Sequence, residues 1–286
     1  MLSIDPKDIA TGKLHQYLLG AIAPRPIAFA STIDKDGQPN LSPFSFFNVF
    51  GANPPLMIFS PARSVRDNKT KHTLDNAEEV KEVVINVVNY DIVQQMSLSS
   101  TMYDKGVNEF EKSGLTMLAS DIVKPFRVAE SPVQFECKVT DIIYTGTEGG
   151  AGNLIVCEVV KLHINEAVLD EEGLIDQFKI DLVARAGGSY YSRAREGFFE
   201  IPKPISSLGM GVDQLPRRVK NSTILTGNNL GLLANVEAFP NEDAVNNFAK
   251  DHPEFINISE EKKHTFAQEY LEQNDVESAW KVLLIK

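Results

Sequence analysis

The sequence has little cysteine, a single tryptophan and no long apolar run. Two cysteines in 286 residues, Cys137 and Cys157, cannot build a disulfide scaffold. Both fall in strand-like runs, where a thiol reads as buried apolar filler. No stretch approaches the roughly 18 apolar residues that a membrane-spanning helix requires. The opening Met-Leu-Ser-Ile-Asp-Pro-Lys-Asp meets charge early, so it does not read as a signal peptide and a cytoplasmic protein is expected. Positive charge is short as well. Lys and Arg total 28 against 39 Asp and Glu, a net charge of −11. So acidic a chain repels nucleic acid unless its cations are concentrated, and neither nucleic acid nor membrane is expected as a partner.

The common catalytic signatures are missing too. There is no Gly-x-Ser-x-Gly elbow, which argues against a serine hydrolase. His15, His72, His163, His252 and His264 have no Cys or His neighbour at ligand spacing, so no metal is expected. His163 alternates within a strand and reads as a structural histidine. Gly149-Gly150-Ala151-Gly152 runs into a strand, so it is not a dinucleotide fingerprint. No internal repeat and no low-complexity segment is present.

What remains is an ordinary globular composition, 43% hydrophobic and 23% charged, arranged around residues 24 to 48. Residues 27 to 33 form an apolar β-prone run that carries Ser31 and Thr32 near its end. Asp34-Lys35-Asp36-Gly37 is a hairpin signal, because Asp-Gly supplies the positive φ of a tight turn. Residues 40 to 48 then hold aromatics and small hydroxyls and no charge. A solvated hairpin would alternate apolar and charged residues. This surface suits a flat ring with polar edges. Further on, Arg63, Arg66, Lys69 and Lys71 cluster against Asp67 alone. The island is too small for a nucleic-acid duplex and the right size for one phosphate group. Thr73 is placed to cap a helix over 74 to 80, and a helix N-terminus beside cations favours an anion.

Strands are expected near 56 to 60, 83 to 88, 132 to 143 and 153 to 164, with a helix or two short turns over 5 to 20, a short helix over 91 to 99 and a helical turn over 107 to 114. Regular strand–helix alternation is missing, so a β-barrel with peripheral helices is favoured over a doubly wound sheet. Residues 201 to 204 resemble a linker, with a domain of 1–200 before it and an extension of 201–286 after it. In the extension, residues 226 to 229 read as a strong turn. Helices are expected over 242 to 249 and 260 to 280.

Several of these pieces together resemble the flavin reductase-like family, the FMN-binding split barrels. They are Pro24-Arg25-Pro26-Ile27-Ala28, Ser31-Thr32, Asp36-Gly37, Asn40 with the run from Ser42 through Pro43 to Asn48, and Asn53-Pro54-Pro55. Glu109-Phe110-Glu111, Gly114-Leu115 and the segment from Arg185 through Gly187-Gly188 to Tyr191 match as well. The family pattern Lys-Asp-Thr-Leu-x-Asn-Ile stands here as Lys71-His72-Thr73-Leu74-Asp75-Asn76-Ala77, with His72 in place of Asp. The likeness spans roughly residues 10 to 200. It implies a mainly β fold, a β-barrel of split-barrel type with peripheral helices, followed by an α+β extension.

The resemblance also assigns roles. Ser60, Arg63, Arg66, Lys71 and Thr73 would hold the FMN phosphate. Amides around Phe44, Ser45, Phe46 and Phe47, beside Pro43, would meet the pyrimidine edge of the ring, with side chains of Ser31, Thr32, Ser45 and Asn48 adding bonds. The three phenylalanines read equally as core residues. Arg25 is implied near the flavin, and a surface salt bridge is the other reading of it. NADH or NADPH would donate hydride over the flavin, in a homodimer, with a separate monooxygenase receiving the reduced flavin. No acid, base or nucleophile is required, because the flavin carries the electronic work. The alternative is a non-enzymatic FMN protein that carries electrons or stores flavin. A third reading is an interaction module acting through its C-terminal helices.

Overall fold

The structure is a computed structural model that describes residues 1–201 and 208–286. Residues 202 to 204 of the expected linker lie outside the described residues. The chain divides into two compact units, Met1–Phe198 and Phe199–Lys286.

The first unit opens with helix α1 (Thr11–Ala21), then strands β1 (Ala28–Ile33) and β2 (Pro39–Phe44). These two form an antiparallel hairpin with Ala28 opposite Phe44 and Ile33 opposite Pro39. The Asp34 carboxylate accepts from the Asp36 and Gln38 amides, and Gly37 takes φ +83°. β3 (Phe47–Ala52) and β4 (Pro55–Phe59) follow, then α2 (His72–Val80), β5 (Glu82–Asn86), α3 (Val93–Ser99) and α4 (Glu109–Ser113). A short pair, β6 (Met117–Leu118) and β7 (Arg127–Val128), precedes the long strands β8 (Val133–Tyr144) and β9 (Asn153–Ile164). The hairpin of β10 (Val183–Arg185) and β11 (Tyr191–Arg193) closes the unit.

Seven strands form one sheet in the order β2-β1-β5-β8-β9-β4-β3, and every pairing is antiparallel. The two edge strands, β2 and β3, are consecutive in the chain. Only Ser45 and Phe46 separate them. Three peptide steps reach about 11 Å at most. The edges must therefore approach, and the sheet curls into a barrel left open along this seam. That is the split barrel.

β1 explains why residues 27 to 33 carry no charge: all six residues of the strand are buried. Ala28 and Ala30 enter one core cluster with Phe44, Phe59 and Ile155. Phe29 faces a second cluster with Leu41, Met96 and Phe110 under α3 and α4. A strand covered on both faces reads as continuously apolar. Cys137 and Cys157 both lie in the first cluster. Burial pushes the Cys137 thiol up to about 12 and raises Cys157 as well.

Glu136 is fully buried and accepts from the Asp121, Ile122 and Val123 amides at 2.8, 2.7 and 3.0 Å, while His163 Nε2 lies 2.7 Å away. Oxygens of Asp121 and Glu136 and a His163 nitrogen lie within 4.8 Å of one another. The three amides already use the Glu136 carboxylate to pin the 119–123 loop to the barrel.

The second unit contains α5 (Arg217–Lys220), α6 (Gly227–Ala234), α7 (Glu242–Asp251), α8 (Glu260–Glu272) and α9 (Val276–Leu284); one cluster centres on Trp280, Leu233 and Leu271, and α7 packs in a second with Val245, Phe255 and Val282. No strand occurs among its described residues, so the α+β reading of this extension narrows to helices. Two local expectations change. The 226–229 turn is a helix start: Thr226 and Asn229 form a capping box. The helix over 260 to 280 is two helices, broken where Asn274 takes φ +60° and Asp275 caps α9. Among the described residues no helix is long and apolar enough to cross a membrane.

Candidate functional site

The seam brings the first set of expected residues together. Ser60 donates its amide to the Phe46 carbonyl at 2.8 Å, and Phe47 pairs with Phe59. The ring run and the basic loop therefore meet at one point. Phe44 is buried, 5.5 Å from the Phe59 ring, and Phe47 packs against the same cluster. These two serve the core. Phe46 is exposed, with its edge toward His15. The Ser45 and Phe46 amides donate to no partner among the described residues. Asn48 is exposed and accepts from the Val49 amide at 2.8 Å.

Arg25 is only 6% exposed, and the salt-bridge reading does not hold. Its guanidinium donates to the Leu19, Ile22 and Ala186 carbonyls and to Ser45 Oγ at 3.3 Å. Backbone bonds between Arg25 and Arg185, at 2.9 and 2.8 Å, tie this point to β10. Burial, and then the charge of Arg185, lowers the Arg25 pKa. Arg25 thus clamps three carbonyls and presents Ser45 at the seam.

The basic loop is built against the glycine-rich turn before β9. Arg63 donates its amide to the Ala151 carbonyl at 2.9 Å, and Gly150 returns one to the Arg63 carbonyl at 3.0 Å. A Cβ on Gly149 would stand 3.0 Å from the Ser64 carbonyl, so glycine lets the two loops touch. The Arg63 side chain is spent on Asn68, and Lys69 faces Asp67 at 3.8 Å. Arg66 is exposed and Lys71 half-buried, and neither has an ion pair or side-chain hydrogen bond among the described residues. Ser60 Oγ accepts from the Asn153 amide at 3.1 Å. Asn153 itself escaped the sequence reading, since an asparagine at a strand start carries no signal. It is buried, its Nδ2 donates to the Pro61 carbonyl, and its Oδ1 has no partner among the described residues.

Thr73 and Thr32 sit elsewhere. Lys71, not Thr73, occupies the N-cap of α2, and no side chain caps it. Asn40 Nδ2 donates to Thr73 Oγ1 at 2.9 Å and to Thr32 Oγ1 at 3.3 Å, and Asn76 Nδ2 donates to Thr32 at 3.1 Å. This buried network locks α2 to the hairpin. Thr32 lies about 16 Å along the strand from Ile27, toward the turn. Ser31 Oγ is fully buried with no partner among the described residues. Beside this network, burial raises the Glu109 pKa, and its carboxylate accepts from the Leu41 amide at 3.0 Å.

A cleft of about 370 Å³ opens beside the seam, between the hairpin end, α3 and the β10–β11 hairpin. Pro43 and Ser45 line it on the hairpin side.

Comparison with known proteins places this geometry. The model of the flavin reductase like domain matches residues 20–182. A protein of Aquifex aeolicus (strain VF5) is 37% identical over 181 residues, 63% of this chain and 90% of that protein. Nitrilotriacetate monooxygenase component B from Bacillus cereus superposes with a TM-score of 0.65 at 29% identity, covering 70% of this chain and 98% of that one. A Shewanella frigidimarina NCIMB 400 protein, described as a flavin reductase with a split barrel domain, gives 0.59 at 25% identity over 71% of this chain and 100% of that one. The family model covers more than half of the sequence, and its matched span contains the seam, the basic loop and the whole seven-stranded sheet: the chain belongs to the flavin reductase-like family.

Proposed function

We propose that this protein is an FMN-binding oxidoreductase that uses NADH or NADPH to reduce flavin. The observation that carries the reading is the seam, where two amides and two cations that are unpartnered among the described residues converge with a clamped serine hydroxyl. That donor set fits FMN. Ser45 and Phe46 amides would meet the polar edge of the ring, with Phe46 as an exposed aromatic face and Pro43 beside it. Lys71 and Arg66 would hold the phosphate, with Ser60 and Arg63 shaping the loop beneath. The orphaned Asn153 Oδ1 would accept from a hydroxyl of the ribityl chain. Thr32 and Thr73 act through the buried network that sets the loop's position.

When bound, FMN supplies the ring that accepts hydride. The chain's own residues would orient it and tune it through the seam amides. Every ladder of the sheet is antiparallel, so no βαβ dinucleotide site exists among the described residues, and the nicotinamide would bind against the flavin. The same observation favours a second reading, an FMN electron carrier that meets no nicotinamide.

The likeness to a monooxygenase component B supports delivery of reduced FMN to a separate monooxygenase. A homodimer is part of the proposal. β3 is a sheet edge, and its Val49 and Phe50 are exposed. The test is anaerobic reduction. NADH or NADPH should bleach protein-bound FMN under the reductase reading, and dithionite alone should do so under the carrier reading.

A further inference from the structure

The cleft beside the seam continues along α3. Its larger lobe, about 370 Å³, is lined by Ser45, Ser97, Ser100, Ser189, Arg185 and Tyr191. A second lobe of about 190 Å³ shares Ser97 and Tyr191 and adds Tyr90 and Val93. Together they form a groove of the size that small ligands occupy.

Its electrostatics are unusual for this chain. The sequence carries 39 acidic residues, yet no Asp or Glu lines either lobe. Arg193 in the smaller lobe is neutralised by Asp181 and Glu196. Arg185 is not. It donates to the Gly188 and Tyr190 carbonyls, and neither it nor the adjacent, buried Arg25 has a carboxylate partner among the described residues. Two neighbouring guanidinium groups without a counter-charge repel each other. An anion seated in the groove relieves that repulsion. The lining also offers an aromatic and an apolar element: the Arg185 guanidinium lies 4.7 Å from the Tyr191 ring centre, and Ile27 and Met96 line the larger lobe.

We infer that this groove binds a small molecule made of a flat ring and an oxyanion, phosphate or carboxylate, with Arg185 as the partner of the anion and Tyr191 and Tyr90 bordering the ring. Ser97 and Ser189 line the same lobe and would add hydroxyl donors to the oxyanion, whereas the Ser100 hydroxyl already donates to the Ser97 carbonyl. The binding claim stands on the groove alone; that the ligand is the second reactant of the flavin chemistry rests on the function proposed above. The groove shares Pro43 and Ser45 with the seam, so a ligand held there is beside a flavin bound at the seam.

The test is titration calorimetry on the full chain, with FMN present and absent. The probes are nicotinamide mononucleotide, benzoate, neutral nicotinamide and inorganic phosphate. One of the two ring-bearing anions should bind at least about 10-fold more tightly than nicotinamide or phosphate, as one charge-assisted contact requires. Nicotinamide mononucleotide as the tighter probe would mark the electron donor, and benzoate an aromatic-acid acceptor. Arg185→Gln should weaken the bound probe about 10-fold or more. That change also removes two bonds that hold the hairpin, so Ser97→Trp is the second variant. Ser97 is an exposed residue of α3 that lines both lobes, and a tryptophan there should fill the groove and abolish binding. The FMN dissociation constant, read from the visible spectrum, should stay within about 2-fold in both variants. Binding of neither ring-bearing anion, unchanged binding in Ser97→Trp, or displacement of FMN by the probe would each overturn the inference. Failure of FMN to bind at all would instead strike the proposed function.

Discussion

Replacing Lys71 with alanine isolates the electrostatic part of the flavin site. Lys71 is the N-cap residue of α2, yet its side chain makes no cap bond and no ion pair among the described residues. Removing it should therefore leave the fold intact. It is the residue at the N-terminus of a nine-residue helix, where the macrodipole already favours an anion. A charge-assisted hydrogen bond contributes about 1.5–3 kcal/mol. Lys71 is half-buried, and solvent screening holds its share to about 1.5–2 kcal/mol. Lys71→Ala should then weaken FMN binding about 10- to 30-fold. The loss should shrink as salt rises, and riboflavin, which lacks the phosphate, should bind both proteins alike. Fluorescence quenching of each flavin on titration measures all three. An unchanged FMN dissociation constant would remove Lys71 from the site. An equal loss for riboflavin would mean that Lys71 supports the ring or the fold rather than the phosphate.

The other expectations concern the frame. Thr73→Val takes the acceptor from buried Asn40 and should cost about 1–3 kcal/mol in denaturant unfolding, with a weaker loss of FMN affinity than Lys71→Ala; a larger loss would make Thr73 a direct ligand. Burial opposes ionisation of Glu136, but the Asp121 amide, His163 and the Ile122 and Val123 amides outweigh it and hold the carboxyl at about 2. Its contribution to stability is present above the ordinary value near 4.5 and is lost as pH falls toward about 2, and Glu136→Gln should flatten that limb of the acid-unfolding curve. In the second unit, burial lowers the His264 pKa against the pull of Glu260, with Arg218 and Lys263 adding to it. The unfolded chain then takes up the proton first, so this unit should lose stability as pH falls below about 6.5, and Trp280 fluorescence reports it. Cys137 and Cys157 should resist thiol reagents at neutral pH until the barrel unfolds.

Much of the barrel was legible because its signals are local. Asp34 to Gly37 announces a hairpin through the positive φ that glycine permits. The period of two in residues 133 to 139 announces β8. The closure of the sheet was not legible from these. It depends on β2 and β3 lying at opposite edges while only Ser45 and Phe46 separate them, a property of strand order rather than of any segment. The family resemblance supplied that step. Long-range bonds also decided which hydroxyls stay free. Nothing near Thr73 in sequence says that Asn40, 33 residues earlier, takes its oxygen. Arg25 between two prolines could not reveal its carbonyl clamp, because Ala186 comes from the far end of the unit. In the second unit a helical apolar period continues through Asn274, and only the backbone shows the break.

The most direct test of the central claim is the visible spectrum of the purified protein with FMN added, followed anaerobically by NADH and then NADPH. A perturbed flavin spectrum on binding, and bleaching by one of the nucleotides, are the expected results. An unperturbed spectrum, with free FMN recovered on filtration, would contradict it.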